Sequence, residues 1–391
     1  MLKAQKLIRI TTIPLSLSVL LKHQLKYMSQ YFDVIAVSSP DKILNEVGLR
    51  EGVKTAPVVM TRSITPVKDL KALWQLYRMF KKEKPLIIHT HTPKAGLLGM
   101  LAGRLAGVPI RMHTVAGMPL METTGSKKKL LVYTERLTYS CATKIYPNSG
   151  NLAQYILQNS LCKGNKIKVI GNGSSNGIDS GYFDLTPEIK LAAEERKRVL
   201  DISDNDFVFL FIGRLVKDKG IEELVNAFVS LQKNQPSIKL VLVGPFEPEL
   251  DPISEEIIKI IENNSGIITV GFQQDVRPYL ALSNVLTFPS YREGFPNVPM
   301  QAGCLNLPSI VTDINGCNEI IENGVNGLII PVKNTESLRS SMELMLSNKP
   351  LYQKLQANAR KMIVERYDQK YLWSLLLKEY QDLIKTKQSV S

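Results

Sequence analysis

Two short stretches of this chain place charged residues where they could do chemistry. In GRLVKDKG (213–220), Gly213 ends an apolar run and Gly220 opens an amphipathic one. Arg214 and Lys219 lie five apart between them, so two cations can converge beside a helix N-terminus. Cationic donors together with unsatisfied backbone N–H groups form a binding arrangement for a pyrophosphate. In PSYREGFPNVPMQAG (289–303), an apolar run delivers Glu293 into a Gly294-Phe295-Pro296 turn. Asn297 is expected to cap the helix that follows, and Pro299 falls in its first turn, where a missing N–H costs nothing. A lone carboxylate on such a loop suits gripping a sugar hydroxyl better than attacking a carbon. Taken singly, each stretch also has a plain reading: a solvated basic loop, and a glutamate held by its own turn.

The elements that must position these residues follow an alternating rhythm. Strands are expected at Lys6–Thr11, Phe32–Val37, Leu86–Thr90, Ile110–Thr114, Lys144–Pro147 and Lys166–Ile170. Helical patterns lie between them at Leu17–Tyr31, Val67–Lys82, Lys94–Ala106, Lys129–Ser140 and Gly150–Gln158. A turn-rich segment, NGSSNGID, and a charged helix at Glu188–Leu200 interrupt the pattern. A second series then runs through FVFLFIG (207–213), KLVLVG (239–244), IITV (267–270), VLTFPS (285–290), PSIVT (308–312) and GLIIP (327–331). Continuous apolar strands alternating with helices predict an α/β protein with doubly wound parallel sheets. Two Rossmann-like halves in tandem, residues 1–185 and 186–368, imply a cleft at the carboxyl ends of both sheets. The tail, 369–391, reads as an amphipathic helix that packs back on the first half.

Composition narrows the function classes. The 391 residues are 44% apolar and 22% charged, which excludes fibrous and largely disordered chains. Four cysteines (Cys141, Cys162, Cys304 and Cys317) form no C-x-x-C pair and no zinc signature with four histidines. The net charge of +13 is uneven: residues 1–190 carry 27 Lys and Arg against 11 Asp and Glu. An anionic partner for that half is expected. No nucleic-acid motif is present, so a surface rich in acidic lipid, or a phosphorylated acceptor, fits better than nucleic acid. No run reaches the roughly 18 apolar residues of a spanning helix, and the first residues lack a cleavage site. The expected location is cytoplasmic, peripheral to the inner membrane face.

Together the two motifs and the tandem layout resemble the retaining glycosyltransferases of family 4, which have a GT-B fold. The likeness covers nearly the whole chain and is strongest from Phe207 to Pro331. It rests on GRLVKDKG, REGFPNV and QAGCLNLPSIVTDINGCNEIIENGVNGLIIP. The resemblance implies that Arg214 and Lys219, with the backbone of Asn297 and Val298, bind a donor diphosphate. It implies that Glu293 is catalytic and holds the donor sugar's hydroxyls. Gly294, Phe295 and Pro296 would supply contacts to the sugar, Gln301 to the ribose, and Gly271-Phe272 to the base. The family has a second glutamate where this chain has Gln301; an amide can accept from one ribose hydroxyl and donate to the other.

In the first half, HTH (89–91) with TPKAG, and RMHTVAG (111–117), resemble the family's acceptor side. By the resemblance His113 is the second catalytic candidate beside Glu293, expected under the donor sugar, with His91, Lys94 and Gly117 on the acceptor side. His89 and His91 alternate on a strand, so one of them is expected to face the cleft. The family's N-terminal glycine-rich loop is replaced by TTIPLSLS. Three further patterns are set aside. The small-residue spacing Gly96, Gly99, Gly103 and Gly107 is read as helix-on-sheet packing. Asp204-Asn205-Asp206 is read as a turn. No G-x-G-x-x-G follows either first strand, which argues against a dinucleotide-dependent dehydrogenase.

The resulting expectation is a glycosyltransferase moving a sugar from a nucleotide-sugar, UDP ahead of GDP though nothing in the chain excludes GDP, to a lipid-linked saccharide in surface-polysaccharide assembly. No cofactor and no metal are expected. The leaving phosphate oxygen would take the acceptor proton, a mechanism proposed for the family and debated. The alternatives are a non-catalytic sugar-nucleotide binder, which Gln301 keeps open, and a GT-B sugar-nucleotide epimerase.

Overall fold

The computed structural model describes residues 5–389 except 248 and 250. The chain forms two compact units, one running to Gly177 and resuming at Gln369, the other Ile178–Asp368. The change falls after Gly177 rather than after residue 185. Ile178 is already buried in the second core, and Phe183 and Leu185 pack against it.

The first unit contains β1 (Lys6–Ile10), β2 (Asp33–Ser38), β3 (Lys54–Pro57), β4 (Ile87–Thr90), β5 (Ile110–Val115) and β6 (Lys144–Pro147). They pair in parallel in the order β3-β2-β1-β4-β5-β6. Two expectations fail here for local reasons. Lys166–Ile170 is not a strand, since only Ile167 bridges to Ile145. Lys166 instead donates to the carbonyls of Tyr139 and Ala142 at the end of helix Gly125–Cys141. The long helix expected at Leu17–Tyr31 is split into Pro14–Leu20 and Gln24–Met28. His23 takes a left-handed φ of 63° between them, and the buried Glu51 carboxylate accepts from the N–H groups of His23 and Lys26. The edge strand β3 carried no apolar signal because its side chains are largely solvated.

Helix Pro93–Ala106 lies unusually close to the sheet. A Cβ on Gly96 would stand 2.4 Å from His113 Cε1, one on Gly99 2.7 Å from Thr90, and one on Gly103 2.2 Å from Ile88. The small-residue spacing is therefore helix-on-sheet packing, as read from the sequence. Helix Gln369–Gln388 belongs to this unit. Its Leu376, Leu377, Tyr380 and Ile384 share a core with Leu7, Leu25, Phe32 and Met112.

The second unit repeats the topology. Its strands are β7 (Phe207–Ile212), β8 (Ile238–Val243), β9 (Ile267–Gly271), β10 (Val285–Phe288), β11 (Ser309–Thr312) and β12 (Gly327–Ile330). Their order is β12-β11-β10-β7-β8-β9, again all parallel. In each unit the winding reverses between the first and fourth strands, β1/β4 and β7/β10. Ligands of doubly wound sheets bind outside the strand carboxyl ends at such a switch point.

The close approach of helix Pro93–Ala106 makes a testable demand. Gly96→Ala should improve helix propensity by at most about 1 kcal/mol but drive a methyl into the His113 ring, for a net loss of about 1–2 kcal/mol. Urea denaturation of the full chain checks this. An unchanged midpoint would mean that the ring yields without cost.

Candidate functional site

Both charged motifs emerge at the switch point of the second unit. The 213–220 segment follows β7, and the 289–296 segment follows β10. Gly220 lets them touch: its φ is +71°, and a Cβ there would stand 2.2 Å from Pro289 O. Tyr291 N donates to Asp218 O at 2.8 Å, and Arg292 donates to Asp218 Oδ2 at 3.0–3.1 Å. Tyr291 OH donates to Glu223 at 2.6 Å. Burial, reinforced by the Glu223 carboxylate, raises the Tyr291 hydroxyl above its ordinary pKa, so it remains a donor.

At the centre of this seam Lys219 Nζ donates to Glu293 Oε1, and Ser290 Oγ donates to the same oxygen at 3.0 Å. Both charged side chains are mostly shielded from solvent. The Glu293 loop is held from beneath by Asn315, whose Nδ2 donates to the carbonyls of Glu293 and Gly294. Arg214 is handled differently. It pairs with Glu247 at 3.0 Å and is more exposed than Lys219. The two cations expected to converge thus each hold a separate carboxylate.

Two helix N-termini open near these loops, and they are not equivalent. Helix Ile221–Gln232 carries Glu222 and Glu223 in its first turn, so its positive end is already compensated. Helix Asn297–Cys304 has no acidic residue and no capping side chain. Asn297 was expected to cap it; instead Pro296, with φ −74° and ψ 135°, occupies the capping position and Asn297 is the first helical residue. A proline offers no side-chain acceptor, which leaves the N–H groups of Asn297 and Val298 to an outside anion. Gln301 lies one turn further along the same helix, partly exposed. Phe295 is an anchor: its ring meets Tyr367 edge-on at 5.5 Å, so this residue offers a ligand its backbone only. Gly271 ends β9 at φ +65°, and Phe272 beside it is exposed.

The first-unit candidates are placed less openly. His113 is buried, 2.8 Å from Thr90 Oγ1 and packed under helix Pro93–Ala106, and burial lowers its pKa to about 4. His89 and His91 do not divide between faces. Residues two apart on a strand share a side, and their rings lie 4.3 Å apart. Lys94 is tied to Asp69 at 2.6 Å and to Thr61 at 3.3 Å, which fixes the loop before helix Pro66–Glu83. Gly117 sits in the loop after β5 with open space where a side chain would be.

Sequence reasoning missed Ser290, Asn315 and the Asp218–Arg292 pair. Ser290 and Asn315 carry a readable signal, a polar residue within three positions of an apolar strand's carboxyl end. Asp204-Asn205-Asp206 is a turn: Asp206 accepts from Ser203 N at 2.8 Å, and Asp204 pairs with Lys197.

With this geometry in place, comparison with known proteins is informative. Residues 192–362 match the family model for glycosyl transferases group 1, and residues 32–173 match that for a glycosyl transferase 4-like domain. The capsular polysaccharide biosynthesis glycosyltransferase CapM of Staphylococcus aureus is 33% identical over 98% of this chain and 99% of its own length. The UDP-Gal:alpha-D-GlcNAc-diphosphoundecaprenol alpha-1,3-galactosyltransferase of Escherichia coli is 30% identical over 79% of this chain and 78% of its own. The crystal structure of Anabaena Alr3699/HepE in complex with UDP superposes with a TM-score of 0.81 at 17% identity, covering 97% of this chain and 100% of that one. A glycosyltransferase from Rickettsia africae superposes with the same TM-score of 0.81 at 20% identity, over 98% and 99% of the two chains. The chain is a glycosyltransferase and belongs to the family 4 type with the GT-B fold.

Proposed function

We propose that the chain transfers a hexose or N-acetylhexosamine, with retention, from a UDP-sugar to a lipid-linked saccharide in surface-polysaccharide biosynthesis. The second unit binds the donor and the first binds the acceptor. The observation that carries this reading is the Lys219–Ser290–Glu293 cluster beside an uncapped helix N-terminus. When a diphosphate arrives, Lys219 exchanges its carboxylate partner for a phosphate oxygen, and Glu293 is released to accept from the sugar's hydroxyls. Lys219, Arg214 and the N–H groups of Asn297 and Val298 then meet the charge that grows on the departing diphosphate. The names of the relatives support the substrate class. The Escherichia coli protein acts on a diphosphoundecaprenol-linked sugar, the Staphylococcus aureus protein serves capsule synthesis, and the Anabaena structure holds UDP.

The first unit supports a peripheral place on an acidic membrane. Among the described residues no helix is long and apolar enough to cross one. Helix Pro66–Glu83 instead turns Val67, Leu70 and Trp74 to solvent, 84%, 68% and 56% exposed. With Tyr77 and Leu105 these residues line an apolar groove of about 750 Å³ that also holds Lys71. Helix Gly125–Cys141 adds Lys127, Lys128 and Lys129 beside the exposed Leu130 and Tyr133. Apolar and aromatic side chains rimmed by lysines suit the boundary between acyl chains and acidic headgroups.

The donor assignment is tested by splitting affinity from turnover. Glu293→Ala should slow transfer by two orders of magnitude or more, about 3 kcal/mol, and leave free-UDP affinity undiminished or tighter, since Lys219 no longer has to leave a carboxylate. Lys219→Ala should weaken UDP at least tenfold, and Arg214→Ala less, because Arg214 is more solvated. Gln301→Glu should retain activity. Calorimetry with UDP alongside a UDP-release assay reads both quantities. Nucleotide affinity indifferent to Lys219 would remove the site.

The membrane assignment is tested by sedimentation with vesicles of neutral or acidic lipid. Binding should require acidic lipid, fade as salt rises, and weaken in the Leu70→Asp/Trp74→Ala double variant. Equal binding to both vesicle types would exclude the electrostatic part.

A further inference from the structure

The donor chemistry leaves unused a polar cluster at the β1/β4 switch point of the first unit. Its root is Arg9, a charged residue inside the apolar strand β1 and fully buried. It has no carboxylate partner among the described residues. Its Nε and Nη2 both reach His91 Nε2, at 3.1 and 2.8 Å, and Nη2 also reaches Gln24 Oε1 at 2.5 Å.

This arrangement fixes a proton. A guanidinium has donors only, so His91 Nε2 must accept, and the ring's single proton sits on Nδ1. A second proton would place one buried cation against another; desolvation first, with help from His89 and Arg9, holds His91 well below its ordinary pKa. His91 Nδ1 is buried and meets no protein partner. Asn148, just beyond β6, donates through Nδ2 to Ala116 O at 3.1 Å, which sets the amide's orientation. Its Oδ1 is likewise buried and unpartnered.

His91 and Asn148 line the same cavity of about 20 Å³, whose rim includes the partly exposed Ser174 and Ser175. The other main polar groups of the lining are engaged. His89 holds Tyr380 and Thr114 at 2.7 Å each, Tyr146 donates to Glu379 at 2.9 Å, and Gln24 joins Arg9 to Asn176. Among the buried side chains of the lining, what remains unpartnered is one N–H donor and one carbonyl acceptor, in a space that admits a single oxygen atom; Arg9 Nη1 is also buried without a partner, but Arg9 does not line the cavity. An ionised phosphate or carboxylate oxygen could accept from His91 but not donate to Asn148, and an ammonium could do only the reverse. A hydroxyl does both.

We propose that His91 Nδ1 and Asn148 Oδ1 seat one hydroxyl of the acceptor saccharide, with Arg9 as the positioning residue that fixes the His91 tautomer. This rests on the first unit being the acceptor side. Two histidine replacements separate the seat from mere packing. Asn at 91 keeps a hydrogen-bonding group near the Nδ1 place and loses the Arg9 acceptor; Gln keeps the Nε2 place and loses the donor into the cavity.

The test uses the full chain, a UDP-sugar chosen by donor screen and a detergent extract of bacterial membrane lipids as acceptor. His91→Gln and Asn148→Ala should each raise the apparent KM for the extract about tenfold, with UDP affinity unchanged and His91→Asn closer to the parent. A purely structural role predicts the opposite order, with His91→Gln benign and His91→Asn harmful, and would overturn the seat. So would an unchanged KM in every variant, which would mean that the cavity holds only water. NMR of protein labelled with ¹⁵N-histidine should show His91 neutral and protonated at Nδ1. Protonation at Nε2 would overturn the argument at its first step. Absence of transfer by the unmodified protein, by contrast, would remove the acceptor reading itself and the seat with it.

Discussion

A parallel sheet covered by helices on both faces hides almost everything it carries. Backbone donors and polar side chains reach a ligand only where strands end, and most freely where the winding reverses and two successive loops part. This chain meets that constraint twice, at β1/β4 and at β7/β10. The two ends are finished in opposite ways. In the second unit the loops carry charge close to the surface, and Lys219 and Glu293 neutralise one another across the seam. In the first unit the polar groups are drawn inward, and a buried arginine has only neutral partners, on Nε and Nη2, while its Nη1 has none.

The difference matters for what each end can hold. A partly solvated ion pair is inexpensive to exchange, because the lysine trades one oxyanion for another while the released carboxylate keeps the Ser290 hydroxyl and some access to water. It suits a ligand that must come and go with a double phosphate. The buried cluster around Arg9 cannot trade so freely. Its geometry is set by protons that have few other places to sit, which suits discrimination between neutral groups of similar size.

Much of this was legible in the residues. The strand-helix rhythm gave the parallel sheets, because continuous apolar strands leave few other arrangements. The charged motifs pointed to one strand end, where the structure pairs Lys219 with Glu293, whereas Arg214, expected to converge with Lys219, pairs with Glu247 instead. What could not be read were contacts made between distant segments. Glu51 breaks a helix at His23 from nearly thirty residues away, and Asn315 supports the Glu293 loop from the next strand over. The split of His89 and His91 between faces was a misreading of strand periodicity, and the capping role given to Asn297 ignored the preceding proline. Arg9 was visible throughout as a charge inside an apolar strand, but its partners His91, Gln24 and, through Gln24, Asn176 come from separate elements.

The placement of helix Gln369–Gln388 bears on how the molecule is made. Its Leu376, Leu377 and Tyr380 complete a core whose other members, such as Leu7, Leu25 and Phe32, leave the ribosome first. Ile178–Asp368, by contrast, is continuous. During synthesis the second unit can close as soon as it has emerged, while the first must keep a face of its sheet unfilled until residues 369–388 arrive. The unit translated first is therefore the last to finish folding. For most of translation it exposes an apolar strip that a chaperone, or the membrane proposed above, has time to cover.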